Sequence, residues 1–112
     1  MARRDDNMQQ EKKVAIITGS SSGIGFETSL ILARNGFHTY AAVRNLDKSQ
    51  PLIDMAKKDG LSIQAIELDV SNDKSVKDAI NRVLSENKRI DVIVNNAGYA
   101  LVLLSKIYQW TK

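Results

Sequence analysis

The segment that most constrains this chain is an apolar run, Val14-Ala15-Ile16-Ile17-Thr18, feeding straight into Gly19-Ser20-Ser21-Ser22-Gly23-Ile24-Gly25. A strand that is apolar on both faces must be covered on both faces, which places it inside a parallel sheet. Residues 23–35 then carry a helical pattern, with Ile24, Leu30, Ile31 and Ala33 expected on or near one side. Asn35-Gly36 supplies the left-handed stop.

The alternation continues. His38 to Val43 reads as a second strand, followed by a polar stretch from Arg44 to Gln50. Pro51 suits the first turn of a helix running to about Lys58, with Gly60 after it. Ser62 to Leu68 is a third strand. Ser71 or Asn72 caps a helix that carries Val76, Ala79, Ile80, Val83 and Leu84 on one face. Ile90 to Val94 is a fourth strand. Strand and helix alternate three times and close on a strand, which predicts βαβ units, an α/β fold and a parallel sheet.

Composition narrows the function classes. The chain has 112 residues, enough for one domain. It contains no cysteine, which removes disulfides, thiolate metal sites and cysteine catalysis, and suits a cytoplasmic setting. The net charge is +3, but basic pairs such as Lys57-Lys58 and Lys88-Arg89 sit near acids. A solvated surface is expected, with no nucleic-acid partner. No apolar run reaches membrane-spanning length, so no membrane partner is expected, and the polar N-terminus lacks the apolar core of a signal peptide. Residues 1–12 read as a disordered lead-in.

The glycine-rich turn carries the chemistry. Gly19 permits a tight turn, Gly23 lets a ligand approach the backbone, and Gly25 lets the helix pack closely on the sheet. The helix start offers unpaired N–H groups and partial positive charge, suited to a pyrophosphate. Gly19-Ser20-Ser21-Ser22-Gly23 also fits the G-x-S-x-G nucleophile elbow of serine hydrolases, with Ser21 as the nucleophile. A triad needs a base within hydrogen-bond reach. The single histidine, His38, begins the next strand and reads instead as a surface residue there.

Two further motifs join the turn. Leu68-Asp69-Val70 ends the third strand and Asn95-Asn96-Ala97-Gly98 ends the fourth. Thr-Gly-x-x-x-Gly-Ile-Gly, then Asp-Val, then Asn-Asn-Ala-Gly, in this order over about residues 12–98, resembles the short-chain dehydrogenase/reductase (SDR) family. The resemblance implies a Rossmann-type α/β domain with strand order 3-2-1-4, and right-handed crossovers in that order put the first two helices on one face of the sheet and the third on the other. It implies that Gly19, Ser21, Ser22, Gly23, Ile24 and Gly25 cradle dinucleotide phosphates. It further implies that Asp69 and Val70 flank the adenine, and that Asn95, Ala97 and Gly98 lie near the nicotinamide. The second strand ends Ala42-Val43-Arg44-Asn45, with no acid before Asp47. An acid there suits the ribose 2′-OH of NAD, whereas Arg44 suits a 2′-phosphate, so NADP(H) is expected over NAD(H).

The family's catalytic Tyr-x-x-x-Lys pair, with its Ser, lies well beyond the Asn-Asn-Ala-Gly motif, while 14 residues follow Gly98 here. The expectation is therefore a partial, truncated domain over residues 13–98, no catalytic residue, and an apolar tail at 99–112 outside the family's pattern. Tyr108 and Lys112, with Ser105 upstream, reproduce the spacing but not the setting, and are read as a decoy pair. The part of the sheet face left uncovered is expected to leave the chain unstable or dependent on a homo-oligomer or a completing chain. The alternatives are a nucleotide-binding module without catalysis, a nonfunctional truncated gene product, or the serine hydrolase.

Overall fold

The computed structural model describes residues 12–21 and 23–96. β1, Val14–Thr18, is buried at every position. It pairs in parallel with β2, His38–Val43, on one side and with β4, Val92–Asn95, on the other. β3, Ile63–Glu67, pairs with the outer side of β2. The order is β3-β2-β1-β4, as expected. The helices are α1 (Gly23–Arg34), α2 (Gln50–Asp59) and α3 (Asp73–Asn87), joined between β2 and α2 by a 3-10 turn at Leu46–Ser49. Pro51 stands in the first turn of α2, and Gly60 ends that helix in the left-handed conformation, its N–H donating to Ala56 O and Lys57 O.

Side chains alternate across the sheet. Val14, Ile16, Tyr40, Ala42 and Ile66 face α3 and meet Val76, Ala79, Ile80 and Val83. On the other face Ala41 meets Leu30 of α1 and Leu52 of α2. The first two helices thus share a face and α3 takes the other.

Three details differ from the sequence reading. Ile24 and Ile31 are 75% and 55% exposed, and Gly25 and Ser29 are buried beside Leu30 and Ala33 instead. Successive helical residues turn by about 100°, so the rotation of α1 about its axis, set by the glycine turn, decides which neighbour faces inward. β4 begins two residues later than expected, at Val92, because Asp91 is used as a clamp. Its N–H donates to Val14 O, and its carboxylate accepts from Val14 N, both at 2.8 Å. Finally, the sheet face under α3 is not bare over β1 and β2: Val14, Ile16, Tyr40 and Ala42 are at most 2% exposed. Half-exposed sheet residues lie on both edge strands, all four of β4 and the first three of β3.

Candidate functional site

The site is built on strand ends. Thr18, the last residue of β1, donates through Oγ1 to Asn95 Oδ1 (2.9 Å) and accepts from Asn96 N (3.0 Å). One hydroxyl thereby locks the carboxyl ends of β1 and β4 together. Gly19 follows at φ 65°, a left-handed conformation that favours glycine. Ser20 is wholly buried, donates to Ile17 O, and lies 3.3 Å from Ser29 Oγ, which donates to Gly25 O at 2.9 Å. This serine braces the turn from inside and leaves Ser21, half-buried, at the surface.

Gly25 has a more specific reason than the sequence offered. A Cβ there would lie 2.3 Å from Gly19 O and 3.1 Å from Ser20 Cα. The obstacle is the turn itself, so glycine is required for α1 to start close against it. At Gly23 nothing lies within 4 Å of where a Cβ would sit, which leaves that stretch of backbone open to approach.

A cleft of about 1060 Å³ runs along the carboxyl ends of β1, β2 and β3. It brings together Gly19 and Ser21 after β1, Arg44 after β2, and Asp69 and Val70 after β3. Gly23, Ile24, Gly25 and Asn95 are not in its lining. The first three form the first turn of α1, and Asn95 stands at the end of β4, on the far side of β1. Ser22, Ala97, Gly98, Ser105, Tyr108 and Lys112 lie outside the described residues.

The β3 end is held rigidly. Asp69 Oδ1 accepts from Ser71 N (3.0 Å) and Ser71 Oγ (2.7 Å), while Asp69 N donates to Ser75 Oγ (2.8 Å). Asn72 caps α3 by accepting from Ser75 N. Val70 is 6% exposed and belongs to the core under α3, so its side chain anchors the loop. Arg44 is exposed on the cleft rim and has no ion pair among the described residues. Two further rim residues escaped the sequence reading, Lys48 and Glu67. Lys48 was hidden because the polar stretch carried no helical period, and the 3-10 turn that aims it is only four residues long.

His38 is at the wrong end of the sheet for a triad. It pairs with Val14, four strand positions before Thr18, which is about 13 Å along the sheet at 3.3 Å per residue. Its Nδ1 meets Ser62 Oγ at 2.5 Å and its ring stands edge-on to Tyr40 at 5.0 Å. Burial, aided by the Lys12 charge, holds its pKa below the usual value, with Glu86 pulling the other way. The serine-hydrolase reading fails on this geometry, because the chain's single histidine cannot reach Ser21.

Comparison with known proteins gives one consistent picture. Residues 13–109 match the short chain dehydrogenase family, a span that runs past Gly98 into the tail. Mouse retinol dehydrogenase 12 is 36% identical over 102 residues, covering 89% of this chain and 32% of that protein. An actinorhodin polyketide ketoreductase solved with NADPH superposes with TM-score 0.74 at 27% identity, covering 80% of this chain and 34% of the other. A metagenomic short-chain oxidoreductase in complex with NADP gives 0.73 at 29% identity, covering 77% and 39%. The chain thus spans about a third of the length of these relatives. Among the described residues, no helix is long and apolar enough to cross a membrane.

Proposed function

We propose, from the premise that this chain belongs to the short-chain dehydrogenase family, that it supplies the NADP(H)-binding part of an oxidoreductase acting on alcohols or carbonyls. The observation that carries this is the single cleft joining Gly19, Ser21, Arg44 and Asp69 at the ends of three adjacent strands. Open α/β sheets bind ligands in just this position, beyond the carboxyl ends of their strands.

The residues present fit a dinucleotide. Gly23 leaves the backbone open, and Gly25 keeps the α1 start tight behind the turn. The free N–H groups of that helix start favour a pyrophosphate. Arg44, without an acidic partner among the described residues, offers a planar fork to a 2′-phosphate. Asp69, fixed by Ser71, and Val70 would border the adenine, while Asn95, fixed by Thr18, would stand towards the nicotinamide. The nicotinamide, when bound, supplies or accepts the hydride. Ala97 and Gly98 are assigned to its surroundings by family resemblance, and the acid–base pair by resemblance belongs further along an intact member.

Fluorescence titration with NADPH and NADH tests the reading. The expected result is saturable binding with NADPH preferred. Arg44→Ala is expected to weaken NADPH by about tenfold or more and to leave NADH nearly unchanged, since charge-assisted bonds to phosphate are worth about 1.5–3 kcal/mol. A folded sample that binds neither nucleotide overturns the proposal.

A further inference from the structure

We infer that Asn35 is a modification site, where the side-chain amide deamidates through attack by the Gly36 nitrogen, and that the hydrogen-bonded C-cap of α1 is the gate on this reaction. Asn35-Gly36 is the one Asn-Gly pair in the sequence. Both residues are exposed just after α1, and nothing lies within 4 Å of where a Gly36 Cβ would sit. No side chain therefore stands over the glycine on that side, and water and hydroxide can approach. Asn45, Asn72, Asn81 and Asn87 are each followed by a residue with a side chain, which hinders the same attack. The step needs only water. The Gly36 nitrogen loses its proton and bonds to Asn35 Cγ, the Cγ–Nδ2 bond breaks, and the amide nitrogen leaves with that proton as ammonia. Water then opens the cyclic imide. Opening at the side-chain carbonyl leaves aspartate, and opening at the backbone carbonyl leaves isoaspartate. No group is oxidised or reduced.

The closed cap holds both reacting groups. Gly36 N donates to Ala33 O and Phe37 N donates to Leu32 O, both at 3.1 Å, the paired bonds of a Schellman ending. Asn35 Nδ2 donates to Ile31 O at 2.7 Å, which keeps the amide back against the helix. Ring closure must break the bonds at Gly36 N and at Asn35 Nδ2. A helix end opens far more readily than the core, so the gate opens without global unfolding. The product in turn weakens the cap. A carboxylate at position 35 cannot donate to Ile31 O, and its charge stands at the negative end of the helix dipole. The neighbouring cation, Arg34, is already paired with Asp59 at 3.1 Å. Isoaspartate adds a carbon to the backbone, which breaks the register of the Gly36 and Phe37 bonds. Deamidation thus loosens the junction of α1 with β2, at the end of the sheet away from the cleft.

The test incubates the purified chain at neutral pH, in buffer and in denaturing urea, and maps its peptides over time by mass spectrometry. The amide-to-acid mass gain is expected first at Asn35, with isoaspartate among the products. Its rate in buffer is expected to be roughly tenfold or more below that in denaturing urea, because two hydrogen bonds must open. Urea below the global unfolding transition is expected to speed it. No product at Asn35 in buffer, or none sooner than at the other asparagines, overturns the site. Equal rates in buffer and in denaturing urea, or a rate that rises only with global unfolding, overturn the gate. Asn35→Asp carries the product with the normal backbone and is expected to melt roughly 4 °C below wild type. An unchanged melting temperature overturns the loosening of the cap.

Discussion

At the scale of the residue, two glycines of one turn make opposite demands. At Gly25 the obstacle is backbone, a carbonyl at 2.3 Å, which has no flexible end to swing away. At Gly23 the space is open and only the positive φ of 61° resists a side chain. Gly25→Ala is therefore expected to cost about 2 kcal/mol or more and to abolish measurable nucleotide binding, because the turn must shift. Gly23→Ala is expected to cost about 1 kcal/mol, the ordinary penalty of a left-handed alanine. Denaturant melts and NADPH titration of both variants check the contrast, and equal costs would refute it. The glycine spacing was plain in the sequence. Which glycine was sterically required was not, since that depends on how closely α1 returns to its own turn.

At the scale of the element, side chains rather than propensity decide how strands end and helices dock. Tyr40 crosses from β2 to α3, donating to Glu86 and accepting from Asn87 Nδ2 at 2.7 Å. Burial and the Glu86 bond push the Tyr40 hydroxyl above its usual pKa, and the same bond holds Glu86 below its own. Asp91 does for β1 and β4 what Tyr40 does for β2 and α3. The Arg89 guanidinium and the Val14 N–H together hold the Asp91 carboxyl below the usual carboxylate value. A depressed pKa stabilises the fold above the unfolded value, near 3.9, and that contribution fades as pH falls through the folded value. Asp91→Asn is thus expected to melt roughly 4 °C lower at pH 7, with the gap to wild type closing below about pH 4. A gap that persists unchanged to pH 3 would show that charge is not the cause. The period of α3 was readable because Val76, Ile80 and Val83 repeat at helical spacing on a polar background. Asp91 was not, because nothing local marks an acid that bonds a strand 77 positions away.

At the scale of the whole molecule, function and stability share one edge of the sheet. The turn after β1, the rim after β2 and the capped loop after β3 are each anchored to the core, yet they face each other across the open cleft. A ligand spanning them would link three segments that the described structure otherwise joins through the sheet. NADPH at about a hundred times its dissociation constant is expected to add about 2.7 kcal/mol of stability, by mass action, and to raise Tm measurably. Equimolar NADH is expected to raise it less. Thermal melts with each nucleotide decide this, and an equal rise with both would contradict the predicted preference.

The sequence by itself determined the α/β class, the succession of strands and helices along the chain and the strand ends where Gly19, Arg44 and Asp69 stand. These follow from local periodicity and from turn residues, which act between neighbours in the chain. Only the tertiary structure decided that Ser20 braces rather than binds, that Ile24 and Ile31 face outward, that Lys48 joins the cleft while Asp47 does not, and that His38 is remote from Ser21. Each of those outcomes is set by where a side chain points after the strands have paired, a contact between segments distant in sequence that local pattern does not encode.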